Sequence, residues 1–140
     1  MNPIEVHTFK KSFGKKVVHA GVSFTLRSGE CLGLIGGSGT GKSVLLRSLI
    51  GLERPDSGKV TVFGQDISQM SERQLIEIRR RVAYVFQNGA LFDSMTVFEN
   101  LAYPLRAHTN FSEEEISRRI QTKLLFPPLP SGAEQILRAP

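Results

Sequence analysis

A run of glycine, hydroxyl and lysine residues early in the chain has the composition needed to grip phosphate. Residues 36–43 read GGSGTGKS and match the pattern G-x-x-x-x-G-K-[ST]. Glycines allow a backbone turn tight enough for successive N–H groups to converge on phosphate oxygens. The sequence therefore predicts a P-loop, a cradle for nucleotide phosphates. Its members are Gly36, Gly37, Ser38, Gly39, Thr40, Gly41, Lys42 and Ser43.

The last two residues of this loop carry its charge and metal chemistry. Lys42 would reach the β- and γ-phosphates, and Ser43, at the start of a helix, is placed to bind Mg²⁺ through its hydroxyl. A plain Gly/Ser turn between two core elements is the alternative. The full pattern is rare by chance, however, and its flanks have the strand and helix character that a phosphate site needs.

A P-loop requires a strand before it and a helix after it, and the sequence predicts both. Residues 31–36, CLGLIG, form a nearly continuous apolar run, typical of a strand buried on both faces. The helix that begins at Lys42 has apolar residues at helical spacing and stops at Gly51. Alternating patterns predict two earlier strands, over residues 4–9 and 17–26.

Strands and helices also alternate after the loop. Residues 59–64 predict a strand, and residues 82–87 predict a second buried strand that ends on the polar Gln87. Between them, Ser71 and Gln74 form a capping-box pattern that starts a helix. The order of these segments favours an α/β protein.

Two helices are predicted in the last third of the chain. Thr96 could cap a helix over residues 97–106, bent or ended near Pro104. Ser112 begins a second capping-box pattern, and the amphipathic helix after it should end by Phe126. Beyond that point only a weak helical pattern remains.

Composition excludes several classes of protein. The 140 residues are 40% hydrophobic, enough for a core, and carry a net charge of +5 with a pI near 9.7. The excess is mild and scattered, so we interpret it as a solvated surface and expect no nucleic-acid partner. No apolar run is long enough to span a bilayer. The single cysteine, Cys31, fits a reducing compartment and is expected in the core.

The loop and its flanks together resemble the nucleotide-binding subunit of an ABC transporter. An aromatic residue, two strands, the P-loop, its helix, the PDSG turn at residues 55–58 and a strand follow in the family's order. The resemblance implies an α/β fold: a P-loop NTPase core of ABC type with an N-terminal antiparallel β-subdomain and the start of the helical subdomain, truncated. Residues 1–124 would be a partial nucleotide-binding domain, and residues 125–140 a divergent proline-rich tail.

The resemblance gives two further residues a role. Phe13 lies where the family has an aromatic that stacks on adenine, an interaction worth roughly 1–3 kcal/mol per base; packing under the sheet is the alternative. Gln87 matches the Q-loop glutamine, which contacts Mg²⁺ or the attacking water and relays the nucleotide state to the membrane partner. Its place at the carboxyl end of a predicted strand is where α/β sheets present their sites. Ser43 and Gln87 are thus the expected metal ligands, with ATP and Mg²⁺ as cofactors.

One stretch points to a subfamily. Residues 85–106, VFQNGALFDSMTVFENLAYPLR, are similar to the ATPases of the phospholipid-trafficking systems that maintain outer-membrane lipid asymmetry, also described as toluene-tolerance transporters. The resemblance implies a cytoplasmic ATPase, peripheral on the inner membrane face and paired head-to-tail with a second ATPase subunit. It would energise phospholipid or lipophile transport through a membrane permease. The lipid substrate is implied only by this resemblance, and nothing in the composition or the spacing of residues indicates it.

Several motifs of the family are not found in these 140 residues. They are the L-S-G-G-x signature, the Walker B aspartate with its catalytic glutamate, and the switch histidine. The acidic residues 113–115 begin a helix and do not replace the glutamate. His7, His19 and His108 are expected to take no catalytic part. We therefore expect the 140 residues alone to be inactive in hydrolysis.

The proline-rich residues 126–130, FPPLP, interrupt the expected helix. A disrupted reading frame or a small insertion before a premature stop is one hypothesis. An unbroken frame that continues into the signature motif would contradict it. Without later strands, residues 31–36 would lie at an exposed sheet edge, so we expect marginal stability and self-association.

Two alternative functions are weighed against the ATPase subunit. One is a non-hydrolysing nucleotide-binding fragment, either a relic or an inhibitory competitor of a full-length subunit. The other is a P-loop kinase or GTPase, which the order of the PDSG turn and Gln87 disfavours. The N-K-x-D motif that a GTPase uses to read its base is also missing from the sequence.

Overall fold

The computed structural model describes residues 2–87 and 89–124, which form two units divided between Tyr84 and Val85. The first unit contains β1 (Ile4–Phe13), β2 (Lys16–Leu26), α1 (Lys42–Ser48), β3 (Ser57–Val62), β4 (Gln65–Asp66) and α2 (Glu72–Arg79). The second contains α3 (Val97–His108) and α4 (Glu113–Leu124). Among the described residues, no helix combines the length and apolar character that crossing a bilayer requires.

The first unit is built on a four-stranded antiparallel sheet in the order β2-β1-β3-β4. β1 is central, and its Ile4 lies opposite Leu26 of β2 and Val62 of β3. The structure thus confirms the predicted antiparallel β-subdomain. The short strand β4 was not predicted, because a two-residue strand leaves no periodic pattern in the sequence.

The two helices of the first unit pack on one face of this sheet. Alternation along β3 directs Val60 and Val62 to that face. In β1 an irregularity between Val6 and Phe9 lets two residues three apart both be buried. The buried cluster consists of Val6, Phe9, Leu45, Val60, Val62, Ile67, Leu75 and Ile78. Because Leu45 belongs to α1, the helix that follows the glycine loop is anchored in this core.

Helix α2 also holds the end of α1 through polar contacts. The Arg79 guanidinium donates from Nε to the Ile50 carbonyl, just beyond α1, at 2.9 Å. Within α2, its Nη1 donates to the Glu72 carboxylate at 2.8 Å. The latter bond holds the pKa of Glu72 below its usual range. The predicted capping box of Ser71 and Gln74 is present at the start of α2.

In the second unit, α3 packs against α4. Ala102 meets Ile116 and Ile120 in a small core, as the amphipathic pattern of α4 predicts. A capping box starts α3 at Thr96, and the helix runs through Pro104 to His108, so of the two alternatives, a bend or an end near Pro104, the end is wrong. A proline costs the helix one backbone hydrogen bond, and packing against α4 offsets that loss.

Two predicted strands are not strands in the structure. Residues 31–36 and 82–86 have no regular secondary structure and Gln87 lies in a turn, and within the described parts of the chain neither segment pairs with a neighbouring strand. An apolar run is buried on both faces only where strands flank it, and the four-stranded sheet does not supply them. Cys31 is accordingly exposed, not in the core as expected, and Ile35 is 100% exposed.

The residues from 125 onward lie outside the described part of the chain. The proline-rich interruption, the weak helical pattern after it and the predicted helix end by Phe126 all fall there. The proposed boundary between a domain over residues 1–124 and a tail therefore stays a prediction.

Candidate functional site: the glycine loop and its hairpin

Residues 36–41 form a loop that is closed by its own side chains. The Thr40 hydroxyl donates to the Gly37 carbonyl at 2.9 Å. The Lys42 ammonium donates to the carbonyls of Gly36 and Gly37, both at 2.6 Å. The predicted loop residues are thus brought together around the lysine.

Three glycines of the loop cannot be replaced without strain. A Cβ on Gly36 would lie 2.9 Å from Thr40 Oγ1. Gly39 and Gly41 have φ angles of +76° and +90°, which residues other than glycine rarely adopt. The loop therefore has the tight backbone that the P-loop pattern predicts, with Ser38 exposed within it.

The end of the loop rests on β2. A Cβ on Gly41 would collide with Val18 and would lie 2.7 Å from Nε2 of His19. His19 Nε2 is 3.0 Å from the Gly41 carbonyl, so the tautomer that carries a proton on Nε2 donates a hydrogen bond there. The His19 ring packs edge-on against Phe9 at 5.5 Å between centroids. The strand before the loop thus fixes the point where the loop becomes α1.

The sequence does not predict this role of His19. Its context predicts a strand or loop residue with no catalytic part, and the structure places His19 in β2, where it supports the loop backbone. No motif marks such a contact, because the two residues meet only after β2 and the loop have folded together. The only available signal was a polar side chain within an otherwise apolar part of β2.

Phe13 lies at the end of β1, opposite Lys16 at the start of β2. Its side chain is 47% exposed, so it does not simply pack under the sheet. The β1–β2 hairpin that presents Phe13 also carries Val18 and His19, which contact the loop at Gly41. The same hairpin therefore carries an exposed aromatic ring and supports the end of the glycine loop.

The residues present fit a nucleotide with its magnesium ion. The loop offers closely spaced backbone N–H groups, Lys42 offers a cation, and Ser43 offers an exposed hydroxyl in the first turn of α1. Phosphate oxygens pair with N–H groups and ammonium, and a hydroxyl oxygen is a ligand that Mg²⁺ accepts. Gly36, Gly37 and Lys42 would hold the phosphates, and Ser43 the metal.

Gln87 belongs to the second unit. Its side chain is exposed in a turn closed by a hydrogen bond from Gly89 N–H to the Phe86 carbonyl at 3.0 Å. After this turn, the Asn100 amide of α3 accepts from Phe92 N–H at 2.8 Å and donates to the Met95 carbonyl at 3.1 Å. No sequence pattern predicts that Asn100 organises this loop. The role of Gln87 as a metal ligand stays a prediction.

Comparisons with known proteins agree on one family. The sequence profile of the ABC transporter family matches residues 19–137. The probable ribonucleotide transport ATP-binding protein Mkl of Mycobacterium bovis is 47% identical over 121 residues, which cover 86% of this chain and 34% of Mkl. The methionine import protein MetN of Mesorhizobium japonicum is 45% identical over 109 residues, covering 78% of this chain and 30% of MetN. The intermembrane phospholipid transport protein MlaF of Haemophilus influenzae is 36% identical over 123 residues, covering 88% and 47%.

Solved structures give the same result for the fold. A dimeric structure of MJ0796, a bacterial ABC transporter cassette, aligns with a TM-score of 0.82 at 27% identity, covering 91% of this chain and 58% of that one. A dimeric post-hydrolysis state of MJ0796 bound to ADP and Pi aligns with a TM-score of 0.81. The chain spans about a third of the length of Mkl and MetN. Since the family profile matches well over half of its residues, the chain belongs to the ABC transporter family of ATP-binding proteins.

Proposed function

We propose that this chain is the nucleotide-binding part of an ABC transporter ATPase subunit, and that it binds ATP with Mg²⁺. The observation that carries the proposal is the closed glycine loop, whose end is fixed on β2 and whose lysine lies across it. Membership of the ABC family and the ADP-bound state of MJ0796 support it.

Each site residue has a distinct task in this proposal. Loop N–H groups and the Lys42 ammonium bind the β- and γ-phosphates and neutralise their charge. Ser43 holds Mg²⁺, which polarises the phosphate oxygens when bound. Phe13 offers its exposed ring to adenine, and Gln87 reaches the metal or the attacking water. Hydrolysis would also need a carboxylate that accepts a proton from the attacking water as general base, the part that the family's catalytic glutamate would play.

The transported substrate is a finer proposal. Residues 85–106 resemble phospholipid-trafficking ATPases, and the similarity to MlaF supports transport of a phospholipid or another lipophile. That resemblance is not specific, however, because relatives named for ribonucleotide and methionine transport have higher identity. We therefore propose a lipid as one of several possible substrate classes, beside ribonucleotides and methionine.

The assembly is likewise a proposal. The dimeric state of MJ0796 supports pairing with a second ATPase subunit, head-to-tail. A membrane permease would be the partner that uses the energy, and the protein would then lie at the cytoplasmic face of the inner membrane. Membership of the ABC family supports both parts of this proposal.

A second candidate function is a nucleotide-binding protein that does not turn ATP over. It is favoured by two of the acidic residues that begin α4: Glu113 pairs with Arg106 of α3, and Glu115 pairs with Arg118 and Arg119 of α4. Both carboxylates are thus already engaged in ion pairs. The 140 residues alone would then bind ATP without hydrolysing it.

One experiment tests binding and turnover together. Binding of Mg-ATP is measured by isothermal titration calorimetry for the wild type, for Lys42→Ala, and for Lys123→Ala as a control that removes an exposed lysine from α4. We expect Lys42→Ala to weaken binding about tenfold or more, because it removes charge-assisted hydrogen bonds to phosphate. Equal affinity in wild type and Lys42→Ala would contradict the proposed site.

Phosphate release from Mg-ATP separates the two candidate functions. We expect no release by the wild type above the rate of Lys42→Ala. Hydrolysis that Lys42→Ala abolishes would show that a general base within these residues activates water, and the non-hydrolysing alternative would be wrong.

A further inference from the structure

The lysine two residues before Phe13 is held in one place by the turn that follows α1. Lys11 Nζ donates to the Arg54 carbonyl at 2.7 Å and lies 3.5 Å from the Glu53 carboxylate and 3.6 Å from that of Asp56. Its side chain is only 14% exposed. A lysine with this many acceptors and so little solvent has far fewer conformations than a surface lysine.

The same turn also fixes the backbone on either side of Lys11. Asp56 N–H donates to the Lys10 carbonyl at 2.9 Å, and Asp56 Oδ2 accepts from Ser12 N–H at 2.7 Å. The end of β1 is therefore bound to residues 53–56 through both main chain and side chain. We call this set of contacts the Lys11 clasp.

The clasp ends on the aromatic ring of Phe13. Lys11 Nζ lies over that ring, 5.2 Å from its centroid, within the range of a cation–π interaction. Phe13 itself stays half-exposed at the β1–β2 turn. The ammonium thus covers one ring face of a side chain that remains open to solvent.

We propose that Lys11 is a positioning residue for the nucleotide base. Anchored by residues 53–56, it covers one face of Phe13, fixes the ring and leaves the opposite face for adenine. The inference rests on the proposed function, because it concerns the base of the nucleotide whose phosphates the loop binds. It assigns a role in recognition to residues 53–56, which act through Lys11.

A comparison of two ligands isolates this role. ATP contains the base and inorganic tripolyphosphate does not, so the ratio of their affinities reports the contribution of base and sugar. Both are titrated with Mg²⁺ into the complete chain, and each variant's melting temperature is recorded. The variants are Lys11→Met, which keeps the aliphatic stem, Lys11→Arg, Phe13→Leu and the double variant Lys11→Met with Phe13→Leu. Lys10→Met is the matched control, because it removes the same charge from the adjacent exposed residue.

We expect Lys11→Met to weaken ATP binding about two- to fivefold, the size of an exposed cation–π interaction, and to leave tripolyphosphate binding unchanged. Lys11→Arg should restore the wild-type ratio, since a guanidinium also pairs with carboxylates and stacks on aromatic rings. Lys10→Met should change neither affinity. With Phe13 already replaced by leucine, Lys11→Met should have no further effect on the ratio.

Three results would overturn the inference. The first is an unchanged ratio of ATP affinity to tripolyphosphate affinity in Lys11→Met. The second is an equal loss of affinity for both ligands, which would mark a purely structural lysine. The third is that Lys11→Met lowers the ratio as much in the Phe13→Leu background as it does in the wild type. A different result would contradict the proposed function itself: Lys42→Ala would bind ATP and tripolyphosphate as tightly as the wild type does.

Discussion

At the scale of single residues, the Gly41 carbonyl accepts two hydrogen bonds that hold the end of the loop in place. It accepts Leu45 N–H at 3.0 Å as the first bond of α1, and it also accepts His19 Nε2–H at 3.0 Å. Gly41 has a φ of +90°, so its conformation is not one that the backbone adopts readily by itself. These two donors together hold the orientation of the peptide group that follows Gly41. That orientation determines where the last N–H groups of the loop point.

We predict that His19→Leu weakens Mg-ATP and Mg-tripolyphosphate alike, about two- to tenfold, the worth of one neutral hydrogen bond. His19→Gln, which keeps an N–H donor, should recover part of the affinity. His7→Leu is the control, because His7 is an exposed histidine of β1 whose imidazole lies 3.7 Å from Glu5. Calorimetric titration of the three variants decides the matter. Wild-type affinity in His19→Leu would show that the loop keeps its shape without this bond.

At the scale of elements, α1 is a short helix that depends on its neighbours. Its Leu45 enters the core of the sheet, and Arg79 of α2 donates to the Ile50 carbonyl just beyond its end. Gly51 then reverses the chain with a φ of +68° while lying against Leu75. Helices of this length are not stable in isolation, so the position of the loop depends on α2 packing.

We predict that Gly51→Ala destabilises the first unit more than Gly29→Ala does. Both glycines have positive φ angles, so each substitution carries backbone strain of about 1–2 kcal/mol. At Gly29 a new Cβ meets no atom within 4 Å, whereas at Gly51 it would lie 2.6 Å from the buried Leu75. The overlap should add about 1–3 kcal/mol.

Urea unfolding of the two variants gives the difference directly. Equal midpoints for Gly51→Ala and Gly29→Ala would mean that Leu75 moves aside without cost and that α1 and α2 are loosely packed.

Local signals in the sequence were reliable, and non-local ones were not. The predicted capping box at Ser71 and the predicted cap at Thr96 are confirmed, because each involves residues within one helical turn. The glycine loop was found for the same reason. Residues 31–36 were predicted as a buried strand, but a strand exists only where another pairs with it, and an apolar pattern does not report its partners. The contacts of His19 and Lys11 escaped detection because they join residues far apart in the chain.

At the scale of the whole chain, each unit presents apolar side chains to solvent. In the first unit Ile35 is fully exposed and Leu32 is 44% exposed, within residues 31–36, which pair with no strand of the described sheet. In the second, Val85 is 91% exposed. Exposed apolar side chains on backbone that is not paired in a sheet favour association with other chains, since pairing would bury them and satisfy their N–H and C=O groups. Self-association of the 140 residues is the expected consequence.

We predict that Ile35→Lys shifts the protein towards monomer, while Ile76→Lys does not. Both replace an exposed isoleucine by lysine, but Ile76 lies on α2, whose backbone groups are already paired within the helix. Loss of one buried isoleucine from the contact, together with charge repulsion between copies, should weaken association about tenfold or more. Sedimentation velocity over a range of protein concentrations measures the change. A monomeric wild type, or an equal shift in both variants, would show that residues 31–36 do not drive association.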